Sequence, residues 1–242
     1  GHSPASYAPT PRQIARLAAA AAYIRIGVPF ESAWMARILA AKPSLTVIDA
    51  RGDITLQTLP MHMDGQASDA HDGEAQPLDP HIWTSPPLVK QMASHILAAL
   101  IELAPTHAAD FRQGHASLVE RLDHLDKAIR RQLADVKQRR FLVFHPAWGY
   151  FAHTYGLAQI AVEQAGREPG PRALAELIAL ARREDIRVIF VQPQFDQRLA
   201  RRLARAIDAR LVTVDPLALD YAASLRRLAR EIAAADVASP VI

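Results

Sequence analysis

With 242 residues, half of them hydrophobic, the chain can bury one large core or two ordinary ones, which excludes a disordered polymer. Its formal charge is only +3, and its 28 basic and 25 acidic residues are interspersed along the chain, so a nucleic-acid-binding face is not expected. Cysteine is absent, so any bound metal must use His, Asp or Glu, and no disulfide reports on the compartment. No apolar run reaches the roughly 18 residues of a membrane span. There is neither an initiator Met nor a signal-peptide pattern, and a processed mature chain is the expectation.

In chain order, Thr10-Pro11-Arg12-Gln13 reads as a helix start, with Thr10 as N-cap, Pro11 at the first helical position and Gln13 closing a capping box. The Ala-rich run carries that helix to about Ala22. A short strand at Tyr23 to Gly27, a helix at Phe30 to Ala41 and a β-branched strand at Leu45 to Ala50 follow. From Gln57 to Pro77 apolar periodicity disappears, and His62, Asp64, Asp69, His71, Asp72 and Glu74 are scattered among Gly, Ala and Ser. A solvated loop is expected there, with the alternative of a flexible metal-collecting loop of weak ligands. Leu88 to Leu103 is the next helix, stopped by Pro105. Thr106 to Gln138 then reads as one helix, with Phe111, Leu118, Leu122, Leu125, Ile129 and Leu133 on one face, roughly 50 Å long at 1.5 Å per residue. A helix of that length outruns one domain, so the chain divides into 1–105, the linking helix 106–138 and 139–242. Beyond it, strands at Phe141 to Phe144, Gln159 to Glu163, Val188 to Val191 and Leu211 to Val214 alternate with helices, which implies an α/β fold with a parallel sheet.

Three segments carry candidate metal chemistry: Asp79-Pro80-His81-Ile82-Trp83, Phe144-His145-Pro146 and Val214-Asp215-Pro216. His145 and Asp215 each follow a strand at the edge where α/β sheets bind ligands, and His81 ends a loop. Taken singly, a His beside a proline is more often structural, and Asp-Pro commonly starts a turn. Together, three such donors from distant parts of the chain suggest one cleft. Trp83, Trp148 and Tyr150 flank them and either wall the site or simply pack. His95, His107, His115, His124 and His153 have no partner at metal spacing and read as surface residues.

These segments, together with Tyr7-Ala8-Pro9-Thr10-Pro11, Ala147-Trp148-Gly149-Tyr150-Phe151, Gly166-Arg167-Glu168-Pro169 and Ile189-Phe190-Val191-Gln192-Pro193-Gln194-Phe195, resemble the zinc- and manganese-uptake cluster of solute-binding proteins that serve ABC transporters. The likeness covers nearly the whole chain in order and spacing. It implies two α/β lobes with parallel sheets joined by one long backbone helix, a metal site at the lobe interface, and an N-terminal lobe incomplete as given. It implies His81, His145 and Asp215 as ligands of Zn2+, with Mn2+ disfavoured because manganese-selective relatives place a carboxylate where His145 stands. It further implies delivery to a membrane permease by a periplasmic or otherwise extracytoplasmic protein, with or without a lipid anchor, that acts as a monomer and not as an enzyme. The family's first ligand falls at Ala5, which cannot coordinate. Either His2 takes its place or the site has three protein ligands and an open position. An open position leaves a zinc hydrolase as the alternative, and a surface adhesin on the same fold is a third.

Overall fold

The computed structural model describes residues 7–59, 78–163 and 166–237, which form two compact units. Of the described residues, those within 1–55 and 87–122 form the first and those within 56–86 and 123–242 the second, so the boundary crosses the chain at Leu122–Asp123 inside a helix. Among the described residues no helix is long and apolar enough to cross a membrane.

The first unit contains α1 (Pro11–Ala18), β1 (Ala22–Arg25), α2 (Pro29–Ala41) and β2 (Thr46–Asp49), with β1 and β2 paired in parallel. The Thr10–Gln13 capping box is formed. The helix nevertheless stops at Ala18, because Ala19 and Ala20 close tighter turns onto Arg16 and Leu17. A run of alanines carries helix propensity but no stop signal, so its end could not be read from composition. Glu31, 2% exposed, gathers the amides of Ile26, Gly27 and Val28 and the Tyr23 hydroxyl, satisfying donors at the start of α2. The unit is completed by α3 (Pro86–Leu103), from Pro87 onward, and the first part of α4 (Ala108–Leu133).

The long helix is shorter than its pattern predicts, starting at Ala108 after a 3-10 turn at Pro105–His107 and ending at Leu133. The C-terminal difference has a cause far away in sequence. The Asp236 carboxylate accepts the amides of Lys137 and Gln138 at 3.0 and 2.6 Å, drawing the chain out of the helix toward the next strand.

In the second unit, β3 (Arg140–Val143), β4 (Ala158–Ala161), β5 (Val188–Val191) and β6 (Arg210–Thr213) form one parallel sheet in the order β4-β3-β5-β6. Successive side chains of a strand face opposite ways, and the core divides accordingly. Phe141, Val143, Val188, Phe190 and Val212 pack against Leu125, Ile129 and Leu133 of α4 and Leu225, Leu228 and Ile232 of α8 (Tyr221–Val237). Leu142, Ile189 and Val191 pack on the other face against Leu177 of α6 (Pro171–Arg183) and Leu203 of α7 (Arg198–Ala206). The short α5 (Gly149–Thr154) adds Phe151 to the first of these layers. Tyr155 donates to Asp126 at 3.0 Å, and burial first, then that carboxylate, push the Tyr155 pKa up.

Phe190 is 1% exposed and meets Phe141 edge to face at 5.7 Å. Phe190→Ala is expected to destabilise the second unit by about 3–5 kcal/mol, read as a shift in the denaturant midpoint at constant slope.

Candidate metal centre

The parallel sheet delivers four polar residues to one edge, each just beyond the carboxyl end of its strand. Across the sheet they are Glu163 after β4, His145 after β3, Gln192 after β5 and Asp215 after β6. The strand ladder runs out as it reaches them: Phe144 still donates its amide to Phe190 and Glu163 to Phe144, each at 2.8 Å, and Val214 to Val191 at 3.0 Å. Beyond this point side chains take over from backbone. The Gln192 amide, buried at 2% exposure, donates to the His145 carbonyl at 3.0 Å and accepts from the His145 amide at 3.4 Å. A side-chain amide here replaces the next rung of the ladder and fixes the His145 backbone.

His81 arrives on a separate loop that is fastened to the same unit. Tyr150 is the main fastening: its hydroxyl donates to the Asp79 carbonyl at 2.8 Å and accepts from the Gln57 amide at 2.9 Å. Burial raises the Tyr150 pKa, which keeps the hydroxyl a neutral donor. Ser85 and Thr154 share a second bond between loop and α5 at 2.8 Å. Gly149 is required at the start of α5, since a Cβ there would lie 2.8 Å from an Asp79 carboxylate oxygen.

Both imidazoles are oriented in the same way. The Asp79 carboxylate, 1% exposed, accepts from the His81 amide at 2.9 Å and contacts the ring Nδ1 at 2.6 Å. Glu163, 4% exposed, stands 3.3 Å from Nδ1 of His145. A carboxylate only accepts, so it places the ring proton on Nδ1 and leaves Nε2 with a free lone pair. The rings meet edge to face with centroids 5.3 Å apart, and their side chains are only 13% and 22% exposed. Phe195 stacks on His145 at 5.0 Å, and Trp83 lies 5.2 Å from His81. Among the described residues the second carboxylate oxygen of Glu163 is buried with no hydrogen-bond partner, an acceptor left over beside the imidazoles.

Asp215 is connected to this pair on two sides. The Trp83 indole donates to the Pro216 carbonyl at 3.0 Å, and Gln194, next to Phe195, donates to Asp215 Oδ1 at 2.9 Å. Among the described residues no three His, Asp or Glu side chains stand together as a ready-made cage for an ion. What the fold assembles is the His81–His145 pair, with Asp215 tethered at its margin. His2 and the acidic and histidine residues of the 60–77 stretch lie outside the described residues.

Several sequence readings are refined. Trp148 is 1% exposed and packs in the core against Phe151, so it does not wall the site, whereas Trp83 touches His81 and Tyr150 holds the His81 loop. His153, His107 and His124 are exposed as expected. His95 is not a plain surface residue: its ring nitrogens meet the Ala50 carbonyl and the Asp53 carboxylate, each at 3.1 Å, within the first unit. Gly52 lies directly over that ring, at φ +50°, where any Cβ would collide with it. The orienting roles of Glu163 and of Gln192, Gln194 and Phe195 are not legible in the sequence, although the last three sit in a segment that carries the family likeness. Their partners depend on strand order, which sequence alone does not state.

In fold, the chain resembles solute-binding proteins. It superposes on the solute-binding protein FpvC of Pseudomonas aeruginosa, solved in complex with Mn2+, with a TM-score of 0.81 at 23% identity over 98% of this chain and 87% of that one, a likeness of fold alone. More narrowly, it belongs to the family described as zinc-uptake complex component A, periplasmic, whose model matches residues 1–235. A crystal structure of ZnuA matches with a TM-score of 0.88 and 34% identity, covering 97% of this chain and 87% of that one. The zinc-binding lipoprotein AdcA of Streptococcus pneumoniae is 28% identical over 221 residues, 90% of this chain and 44% of that protein. The chain thus spans under half the length of the curated relatives it matches.

Tyr150→Phe removes both bonds that tie Gln57 and Asp79 to α5 and leaves a buried carbonyl unpaired. It is expected to destabilise the protein by about 1–3 kcal/mol in equilibrium unfolding, more than an ordinary loss of one exposed hydroxyl.

Proposed function

We propose that the chain binds a divalent transition metal, Zn2+ in preference to Mn2+, through His81, His145 and Asp215, and delivers it outside the cytoplasm to the membrane permease of an ABC importer. The observation that carries this reading is the paired imidazole arrangement: two rings meeting edge to face, each held at Nδ1 by a buried carboxylate and each left with Nε2 as the free donor nitrogen. Carboxylate–imidazole pairs of this kind orient zinc ligands and raise their basicity. Neutral imidazoles with one carboxylate suit zinc's tetrahedral preference for N and O donors, and Asp215 supplies the carboxylate. His2 is the proposed fourth donor, with a water as its substitute.

The charge balance suits a carrier. Two neutral imidazoles and one carboxylate leave the metal about one positive charge, which the outer carboxylates of Asp79 and Glu163 offset at longer range. The metal is then held by mostly neutral donors and a single carboxylate. Hydrolysis has no place in this reading, because Asp79, the acid nearest His81 in sequence, is buried and committed to orienting it. Family membership and the likeness to ZnuA support transport, and the monomeric state is part of the same proposal.

A ligand that binds only the native state raises stability by mass action, about 4 kcal/mol at a thousandfold excess over Kd. Saturating Zn2+ is therefore expected to raise the melting temperature of the wild-type chain by several degrees, and His145→Ala to remove most of that shift. An undiminished shift in His145→Ala would contradict the assignment.

A further inference from the structure

We propose that Gln194 makes Asp215 a one-oxygen ligand and thereby sets the preference of the site for zinc over manganese, an inference that rests on the reading of His81, His145 and Asp215 as metal donors. Asp215 Oδ1 accepts two hydrogen bonds, from Gln194 Nε2 and from the Leu217 amide, both at 2.9 Å. A carboxylate oxygen has two in-plane lone pairs, so Oδ1 is fully occupied and only Oδ2 remains for an ion. The Leu217 bond belongs to the Asp215-Pro216-Leu217 turn and would accompany any aspartate placed there. The Gln194 bond is the added element.

Gln194 reaches Asp215 because β5 and β6 are adjacent and parallel, with Val191 opposite Thr213, so the residues just beyond the two strands stay side by side. The segment Gln192-Pro193-Gln194-Phe195 works in both directions. Gln192 holds the His145 backbone, Phe195 covers the His145 ring and Gln194 holds Asp215. The amide of Gln194 must present nitrogen to Asp215, since the carboxylate offers no proton in return. Both partners of Oδ1 lie beside Asp215, one on its own turn and the other just beyond the end of neighbouring β5, and neither takes Oδ2.

The consequence is chemical selection. Zinc is satisfied by four donors, one of them a single carboxylate oxygen. Manganese favours six-coordinate, oxygen-rich surroundings and gains from a carboxylate that binds through both oxygens. In this site manganese would have to displace Gln194 to obtain the second oxygen, while zinc would not.

The test is equilibrium competition against a chromophoric chelator, run separately with Zn2+ and Mn2+, on the wild-type chain, Gln194→Met and Gln194→Ala. Methionine keeps the length and removes the donor; alanine guards against a packing effect peculiar to methionine. Both variants are expected to lower the ratio of manganese Kd to zinc Kd by about tenfold or more, the scale on which outer hydrogen-bond partners tune metal sites. An unchanged ratio in both variants would overturn the proposal, including the case in which both metals weaken by a common factor, which is what a merely structural glutamine would produce. Failure of the underlying site reading looks different, since the wild-type zinc affinity would then survive His145→Ala.

Discussion

A histidine can offer a metal only the nitrogen that does not carry its proton, and which nitrogen that is depends on what the other one touches. In this protein two buried carboxylates, Asp79 and Glu163, settle the matter for His81 and His145. The rest of the site depends on that constraint. The carboxylates must be buried to be rigid, yet a buried carboxylate is costly unless it is hydrogen-bonded or faces positive charge. Asp79 meets the condition through both N–H groups of His81, and Glu163 through His145 with one oxygen still unshared among the described residues. A cation arriving at Nε2 of these rings would relieve the negative charge on both.

The fold's contribution is to bring these groups together without long loops. A parallel sheet ends all its strands on one edge, so Glu163, His145, Gln192 and Asp215 come to neighbouring positions as an outcome of strand order. The loop carrying His81 is the exception and needs its own anchors, which Tyr150, Gly149 and Thr154 of α5 provide. Since α5 begins four residues after His145, one short stretch of chain both supplies one imidazole of the pair and positions the loop that carries the other. That economy explains why Trp148, between them in sequence, is committed to the core.

The sequence was most readable where a residue's role depends on its immediate neighbours. The Thr10–Gln13 capping box, the β5 strand at Val188 to Val191, and the placing of His145 and Asp215 at strand ends followed from local pattern and from a family likeness. Contacts between distant positions were not readable. The end of α4 is set by Asp236, about a hundred residues on; the place of His95 by the Ala50 carbonyl and Gly52; and the roles of Glu163 and Gln194 by which strands lie side by side. The one-residue differences at the ends of β3 and β6 had no effect on the site, because the proline after His145 and the one after Asp215 mark the edge regardless.

The central claim is that two imidazoles of this chain coordinate zinc through Nε2. Zinc K-edge X-ray absorption on the metal-loaded wild-type protein tests it directly, since imidazole rings add an outer-shell scattering pattern that carboxylates and water lack. The account predicts at least two imidazoles among about four N/O neighbours at roughly 2.0–2.1 Å, with one ring lost in His81→Ala and one in His145→Ala. A first shell without imidazole scattering, or one unchanged by both substitutions, would contradict it.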